Sequence, residues 1–508
     1  MATAASQGAD QDVSRGLITV SIMLATVMQA IDTTIANVAL PSMKGALSAT
    51  QDQISWVLTS YIVAAAIMTP VTGVLAAQWG RKRVFLASVA GFTIASMLCG
   101  ASTSLEEIVL FRLVQGIFGA GLVPISQAVL LDTYPPERHG AAMAIWGLGV
   151  MVGPIIGPSL GGYLTDYYNW SWIFYINLPI GIIAFFGIMS FVPETSRSSS
   201  HAFDYFGFVL LSVSIGALQL LLDRGQSLDW FESREIVIET VAAILFMYMF
   251  VVHALTAEHP FIRPAMFTDK NFVVGLIFIF IIGTALYATL ALLPPFMQQL
   301  MNFPVVTTGL VLAPRGIGTM AAMILVGRLV GKVDTRLLIF AGLALTALSL
   351  YLMADFTSDV PIRMVVYTGI IQGLGFGFVF VPLSATTFST LDPQLRTEGT
   401  AMYSLMRNIG SSIGISVVVT LLARNTQINH ANLAESIQPF RDPMTLKSLN
   451  QAWDWTTTSG LAALNNEVTR QAMTISYLDD FRLIMWILLA SMPLLLLLRQ
   501  QRRRSPAR

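Results

Sequence analysis

Apolar runs of about 20 residues, the length needed to cross the hydrocarbon core of a bilayer, recur along the whole chain between short charged or turn-rich breaks. Fourteen such runs are predicted to be spanning helices. Six cover residues 17–40, 54–77, 84–101, 108–131, 140–164 and 172–192; a middle pair covers 205–222 and 236–255; six more cover 272–297, 308–330, 337–354, 364–388, 400–422 and 483–498. Basic residues divide unevenly between the two sets of connections. Arg15, Arg81, Lys82, Arg83, Arg138, Arg197, Arg263, Lys270, Lys332, Arg336, Arg396 and the tail residues Arg502, Arg503 and Arg504 fall on one side, whereas the short loops of the other side hold Lys44, Arg224, Arg234 and Arg363. By the positive-inside rule the first side is cytoplasmic, and an even number of spans brings both termini there. The polar stretch 1–14 has neither the basic start nor the cleavage box of a secretory signal, so the first span is expected to be retained.

Composition strengthens this reading. Hydrophobic residues make up 55% and charged residues 11% of the 508, with a mean hydropathy of +0.68, whereas soluble domains carry about 25% charged residues. So few charges cannot coat a soluble globular enzyme, and the expected class is an all-α membrane protein. The net charge of zero gives no pointer to nucleic acid. Cys99 is the sole cysteine, and His139, His201, His253, His259 and His430 never fall four apart, so neither a disulfide nor a metal centre is expected. No phosphate-binding GxxxxGK[ST] loop occurs, which argues against direct drive by ATP.

Two short patterns recur. The second span ends in Gly73 and Leu75 before Gly80, Arg81 and Lys82, and the tenth ends in Gly327 and Leu329 before Asp334 and Arg336; the fourth holds Gln115, Gly116 and Gly119, and the twelfth holds Gln372, Gly373 and Gly375. Equal order and similar separation suggest two six-span halves with the seventh and eighth spans inserted between them. The expected organisation is a tail 1–16, a first bundle 17–192, a linker 193–271 carrying the inserted pair, a second bundle 272–498 that includes an external segment 425–480, and a basic tail 499–508.

Four stretches carry candidate chemistry. Around the second span's basic end, Gly73, Gly80, Arg81, Lys82 and Arg83 resemble the inter-helix signature GxLaDrxGRk of the major facilitator superfamily, which in that family gates the cytoplasmic side; Ala77 stands where the family usually has Asp, so another group, Arg81, Arg83 or Asp334, is expected to hold the gate. Arg112 and Gln115 lie within the fourth span, where a central arginine costs about 2.5–3.5 kcal/mol on insertion scales, and the surrounding pattern is similar to the superfamily's proton-transfer signature. In the fifth span Gly149, Gly153, Gly157 and Gly161 fall every fourth residue, a groove for close helix packing. With Pro154, Pro158 and Gly162 they form the GP-xx-GP-xx-GG pattern similar to that of superfamily antiporters, which implies export. Asp32, flanked by Gln29, Thr33 and Asn37, is a lone carboxylate in the first span, a position that is functional by default; this stretch looks like the first-helix signature of the fourteen-span drug:proton antiporter branch.

The stretches around Asp223 to Trp230 and Trp170 to Pro179 resemble inner-membrane pumps of the EmrB type, which act with a periplasmic adaptor and an outer-membrane channel. The resemblance implies a major facilitator fold of two six-helix bundles plus two inserted helices, a proton gradient in place of a cofactor, and hydrophobic drugs, protons and lipid as partners. Asp32 lies about 13 Å below Pro41 and Arg112 about 10 Å below Leu105, so the two are expected to meet and couple protons to transport. Arg407 and Asn408 in the thirteenth span join Gln29, Thr33, Asn37 and Gln115 as candidate polar lining of the cavity, and Phe278, Phe280, Tyr287, Phe376 and Phe378 are apolar candidates. Residues 425–480 are too long for a connecting turn; Leu446, Trp453, Trp455, Leu461, Leu464 and Val468 make them a candidate docking surface for the adaptor. A proton-coupled uptake symporter on the same fold, or a membrane receptor that no longer transports, remains the competing class.

Overall fold

A computed structural model describes residues 2–194, 203–436 and 457–498. Its helices are α1 (Ala2–Ala46), α2 (Gln51–Trp79), α3 (Arg81–Ala101), α4 (Leu105–Gly119), α5 (Leu122–Thr133), α6 (His139–Tyr167), α7 (Trp172–Tyr175), α8 (Asn177–Phe191), α9 (Tyr205–Arg224), α10 (Arg234–Thr256), α11 (Lys270–Pro295), α12 (Val305–Leu329), α13 (Thr335–Met353), α14 (Ile362–Thr387), α15 (Arg396–Ser436) and α16 (Thr458–Ser491). Fourteen stretches of these are long and apolar enough to cross a membrane, α4 with α5 forming one of them. Inside a bilayer each backbone group must be satisfied within its own segment, which only helices and closed barrels achieve. Where helices leave that environment, side chains cap them: Thr50 and Gln53 form a reciprocal capping box on α2, and Ser104, Asp204, Asp269, Asp334 and Thr457 each accept from a first-turn N–H.

The expected repeat is visible in the packing. In the first half α1 packs on α6, α2 on α4 and α3 on α4; in the second, α11 packs on α15, α12 on α14 and α13 on α14. The halves then meet along two equivalent seams, α6 against α12 and α15 against α2. At the basic end Trp146 of α6 stacks on Phe380 of α14, their ring centroids 5.6 Å apart. The inserted helices α9 and α10 pair with each other, and α9 touches both halves: Asp223 accepts from the Thr59 hydroxyl of α2, and Gln219 exchanges hydrogen bonds of 3.0 and 3.1 Å with Ser412 of α15.

The helix lengths add detail to two expectations. The stretch expected to be a tail, 1–16, is helical from Ala2 and continuous with the first span. The external segment is likewise helical at both ends. α15 has 41 residues and α16 has 34, which at 1.5 Å per residue is about 60 and 50 Å against a core of about 30 Å. Both must therefore project beyond the membrane, and they do so as a pair joined by Asn429 to Ser476 and His430 to Asn465, each at 3.1 Å. Of the expected docking residues Val468 is buried in this hairpin, Leu464 is half-buried and Leu461 is exposed, whereas Leu446, Trp453 and Trp455 lie outside the described residues, as do Arg197, His201 and the basic tail.

α6 runs unbroken through Pro154 and Pro158, and its glycines set how closely it approaches α1. A Cβ on Gly153 would lie 2.0 Å from the carbonyl oxygen of Ala30, one on Gly157 2.1 Å from the Thr34 hydroxyl, and one on Gly149 1.9 Å from the Met23 methyl. Gly161 meets Ile35 in the same way, but Gly162 faces open space, with Val38 4.0 Å away. Gly153→Ala should therefore destabilise by about 1–3 kcal/mol through overpacking against fixed backbone, read as a lower Tm in detergent, while Gly162→Ala should leave Tm unchanged; equal effects would remove the stripe's role in packing.

At the start of the inserted pair Asp204 is held by the N–H groups of Gly207 (2.8 Å) and Phe261 (2.9 Å) and by the His253 ring (2.9 Å). Burial works against ionisation of this carboxyl, but the hydrogen bonds together outweigh it and hold the acid below its ordinary range. A lowered carboxyl contributes stability at neutral pH that disappears as pH falls through its folded value. Asp204→Asn should thus lower Tm at pH 7 and cease to matter only below about pH 4; a penalty already gone at pH 6 would contradict this.

Candidate functional site

Asp32 and Arg112 meet. Four helices of the first half converge on the Asp32 carboxylate, which is 0% exposed, and Arg112, at 1%, lies against it. Arg112 Nη1 donates to Asp32 Oδ2 and to Gln115 Oε1, both at 2.8 Å, and its Nε donates to the Val57 carbonyl of α2 at 3.1 Å. The other carboxylate oxygen accepts from Gln115 Nε2 at 2.9 Å and from Asn177 Nδ2 of α8 at 3.0 Å; Asn177 is itself fixed through Ser96 Oγ of α3 at 2.9 Å. The guanidinium lies 4.3 Å from the Tyr61 ring centroid and 5.7 Å from that of Phe174. Such a pair is a charge-neutral unit that tolerates burial only because each member satisfies the other. The glycines of α6 press on α1 at Ala30 and Thr34, on either side of Asp32, so the stripe and the carboxylate form one assembly.

The remaining expected lining residues stand apart from this network. Thr33 and Asn37 are exposed and bond within their own helix, Gln29 is half-buried with Oε1 unpartnered, Arg407 is buried in the second half, and Asn408 is half-buried beside it. Asn177, Tyr61 and Ser96 were missed in sequence because an Asn at the head of an apolar span, a Tyr and a Ser carry no pattern of their own. Arg315 of α12 was also missed, although an arginine in mid-span is the signal that drew attention to Arg112.

The basic end holds a second cluster. Gly80 turns the chain between α2 and α3 at φ 93°, a left-handed backbone that favours glycine. Arg81 pairs with Asp132 at the end of α5, and Arg396 of the second half reaches the other oxygen of Asp132 at 3.0 Å. Asp132 thus joins the halves where Ala77 leaves the usual acid missing. Gly73 lets α2 touch α15, its missing Cβ lying 3.0 Å from the Glu398 Cα, and Glu398 is in turn held by Arg263 at 2.6 Å. An open cleft of about 490 Å³ lies at this cluster, lined by Arg15, Asp132, His139 and Arg396 among others. Of the three expected gate holders Arg81 joins this cluster, and the other two do not. Asp334 caps its own helix through the Arg336 N–H at 2.9 Å, and Arg83 forms an exposed pair with Glu194 at 3.5 Å, of a kind worth little. Lys82 is half-buried.

With this geometry in view, the comparisons are direct. The Major Facilitator Superfamily model matches residues 22–415. The chain belongs to the major facilitator superfamily. Among curated relatives, the multidrug export protein EmrB of Escherichia coli (strain K12) is 35% identical over 468 residues, 92% of this chain and 91% of that one. The fatty acid resistance protein FarB of Neisseria gonorrhoeae is 37% identical over 469 residues, 91% and 92% of the two chains. Among solved structures the human organic anion transporter MFSD10 superposes with a TM-score of 0.60 at 14% identity, covering 93% of this chain and 99% of its own, and the proton:xylose symporter XylE with 0.59 at 13%, covering 93% and 96%. These two share the major facilitator fold.

The gate can be tested without reference to transport. Ala401 is buried where α15 meets α2 at Gly73, and native Cys99 is buried. In detergent, Ala401→Cys should react slowly with a maleimide, and adding Asp132→Asn should speed labelling about tenfold or more; an unchanged rate would show that Asp132 does not hold the halves together.

Proposed function

We propose that this transporter is a proton-coupled exporter of hydrophobic drugs in the inner membrane of a bacterium, working by alternating access of its two halves around a midplane cavity. The basic end and both termini face the cytoplasm. What carries the reading is the sealed Asp32–Arg112 pair gripped by the glycine stripe of α6, and relatives named for multidrug export at 35% identity support the direction of transport.

The chemistry follows from the pair's dependence on position. As the halves rock at the α6–α12 and α15–α2 seams, the packing inside the first half adjusts, and any movement that separates Asp32 from Arg112 strands a carboxylate in a medium of low dielectric. A stranded carboxylate takes up a proton, and return of the cation expels it. If loading occurs while the pump is open outward and release while it is open inward, each cycle admits a proton and can expel a drug. Thr33 and Asn37, exposed on the same helix, and Gln29 are the residues of α1 that this reading assigns to the drug. The hairpin of α15 and α16 is the surface for a periplasmic adaptor, through which the protein serves as the permease of a tripartite pump with an outer-membrane channel.

Inverted membrane vesicles with an acidic lumen should accumulate a lipophilic fluorescent drug through this protein. Asp32→Asn should bind drug but lose gradient-driven accumulation by at least tenfold. Full transport by that variant would remove Asp32 from the coupling, and drug leaving the lumen together with protons would replace export by symport. Deleting residues 437–457 should abolish co-purification with the adaptor while sparing accumulation in vesicles; retained co-purification would remove the loop from docking.

A further inference from the structure

From Asp32 toward the basic end, the inner face of α1 carries polar groups at helical spacing. Gln29, Thr26 and Thr19 lie about 5, 9 and 20 Å from Asp32 along the axis, and with Ile22 they make one stripe. A threonine inside a span ordinarily satisfies itself on a carbonyl one turn back, as Thr69 and Thr387 do. Thr26, 0% exposed, has such a contact at 3.2 Å, but its shorter bond reaches another helix, donating to Ser126 Oγ of α5 at 2.8 Å. Ser126 is also fully buried; its hydroxyl donates to the Val123 carbonyl at 2.7 Å and accepts from the Trp146 indole N–H of α6 at 3.0 Å. One turn nearer Asp32, the Tyr61 hydroxyl of α2 stands beside the Gln29 amide, and both that hydroxyl and Gln29 Oε1 are buried without closing a hydrogen bond. The Tyr61 ring is the one that lies 4.3 Å from the Arg112 guanidinium.

Close packing of α1 on α5 does not call for these groups, since burying a polar atom costs free energy that an apolar side chain avoids. What hydroxyls add is chemistry. A hydroxyl donates and accepts at once, as relaying a proton requires, whereas an amide holds a water in line without taking up the proton itself. Along α1 the stripe is broken by Ile22, 0% exposed, so with the latch of Arg81, Asp132 and Arg396 made the hydroxyls are cut off from the basic end. They come nearest to it at Trp146. That ring lies about 10 Å inside the start of α6 and stacks on Phe380 of the second half. Parting the halves at the basic end uncovers Trp146, and the Ser126 hydroxyl is directly behind it.

We propose that the Thr26–Ser126 hydroxyl pair is the cytoplasmic branch of the proton route. With the halves parted at the basic end, the proton leaving the Asp32 carboxyl passes through water held at Gln29 and the Tyr61 hydroxyl to Thr26 and Ser126, and enters the cytoplasm past Trp146. Each hydroxyl takes one proton on a lone pair and gives up its own, so none changes charge, and Asp32 is left as the carboxylate that pairs with Arg112. This deepens the proton-coupled reading and rests on it. Inverted vesicles carrying the full chain are assayed with ethidium in two ways, accumulation driven by an acidic lumen, and exchange at equal pH, which moves no net proton. Thr26→Val, which replaces the hydroxyl by a methyl group of similar size, and Ser126→Ala should each lower the maximal driven rate at least fivefold at an unchanged half-saturating concentration, with exchange kept within twofold. Thr26→Ser, which keeps the hydroxyl, should recover at least half of the driven rate. Driven accumulation unaltered by either variant would overturn the proposal, and so would a fall in exchange as large as the fall in driven accumulation, which would make the hydroxyls structural. A second measurement needs no drug. In purified protein Ser126→Cys should react with N-ethylmaleimide at least fivefold faster when Asp132→Asn is added, with the buried native Cys99 as background; an unchanged rate would also overturn the route. Absence of ethidium accumulation by the unaltered protein counts against the exporter reading and not against the route, which the labelling then decides alone.

Discussion

A carboxylate and a guanidinium sealed from water inside a lipid-embedded bundle can exist as ions only while each holds the other, and the first half is organised around that condition. Asp32 and Arg112 come from helices that are far apart in sequence, so the pair fixes the relative height of α1 and α4, and the amides of Gln115 and Asn177 fix its orientation. Replacing or neutralising one partner would leave the other buried and unpaired, an expensive state. The pair therefore ties the charge state of the first half to the relative position of its helices.

The two seams are where the halves can move against each other. On the α6 side, close approach is achieved by small residues facing bulky ones from either direction: Ile155 enters the space over Gly316, and Met323 that over Gly147. On the α2 side, Gly73 does the same beneath Glu398, and the three-membered cluster of Arg81, Asp132 and Arg396 adds a charged latch at one end. Apolar contacts without directional bonds let helices tilt, while a charged latch has two states, made or broken. A rocking carrier needs both kinds of contact.

Much of this was legible in the residues. Spans, the repeat and the meeting of Asp32 with Arg112 followed from run length, short recurring patterns and depth counted in turns. The gate was only half legible. Its glycines and Arg81 stood out, but Asp132 sits in a loop-proximal stretch with other polar residues, and nothing in one sequence says which acid a distant arginine will choose. Asp334 was expected there because it occupies the position equivalent to the basic run, yet a carboxylate immediately before a helix satisfies the free N–H groups beside it first. The helical hairpin was legible only in part, from a few apolar residues at helical spacing such as Leu461, Leu464 and Val468, because a mostly polar helix held by a neighbouring helix has little hydropathy signature.

The inserted helix α9 lies where it bonds both α2 and α15, so it covers one of the two lines along which the halves part. Among the described residues the inserted pair packs against this line and makes no comparable packing against α6 and α12. The bundle is nearly twofold symmetric inside, but the inserted pair makes the surface it turns to the lipid one-sided.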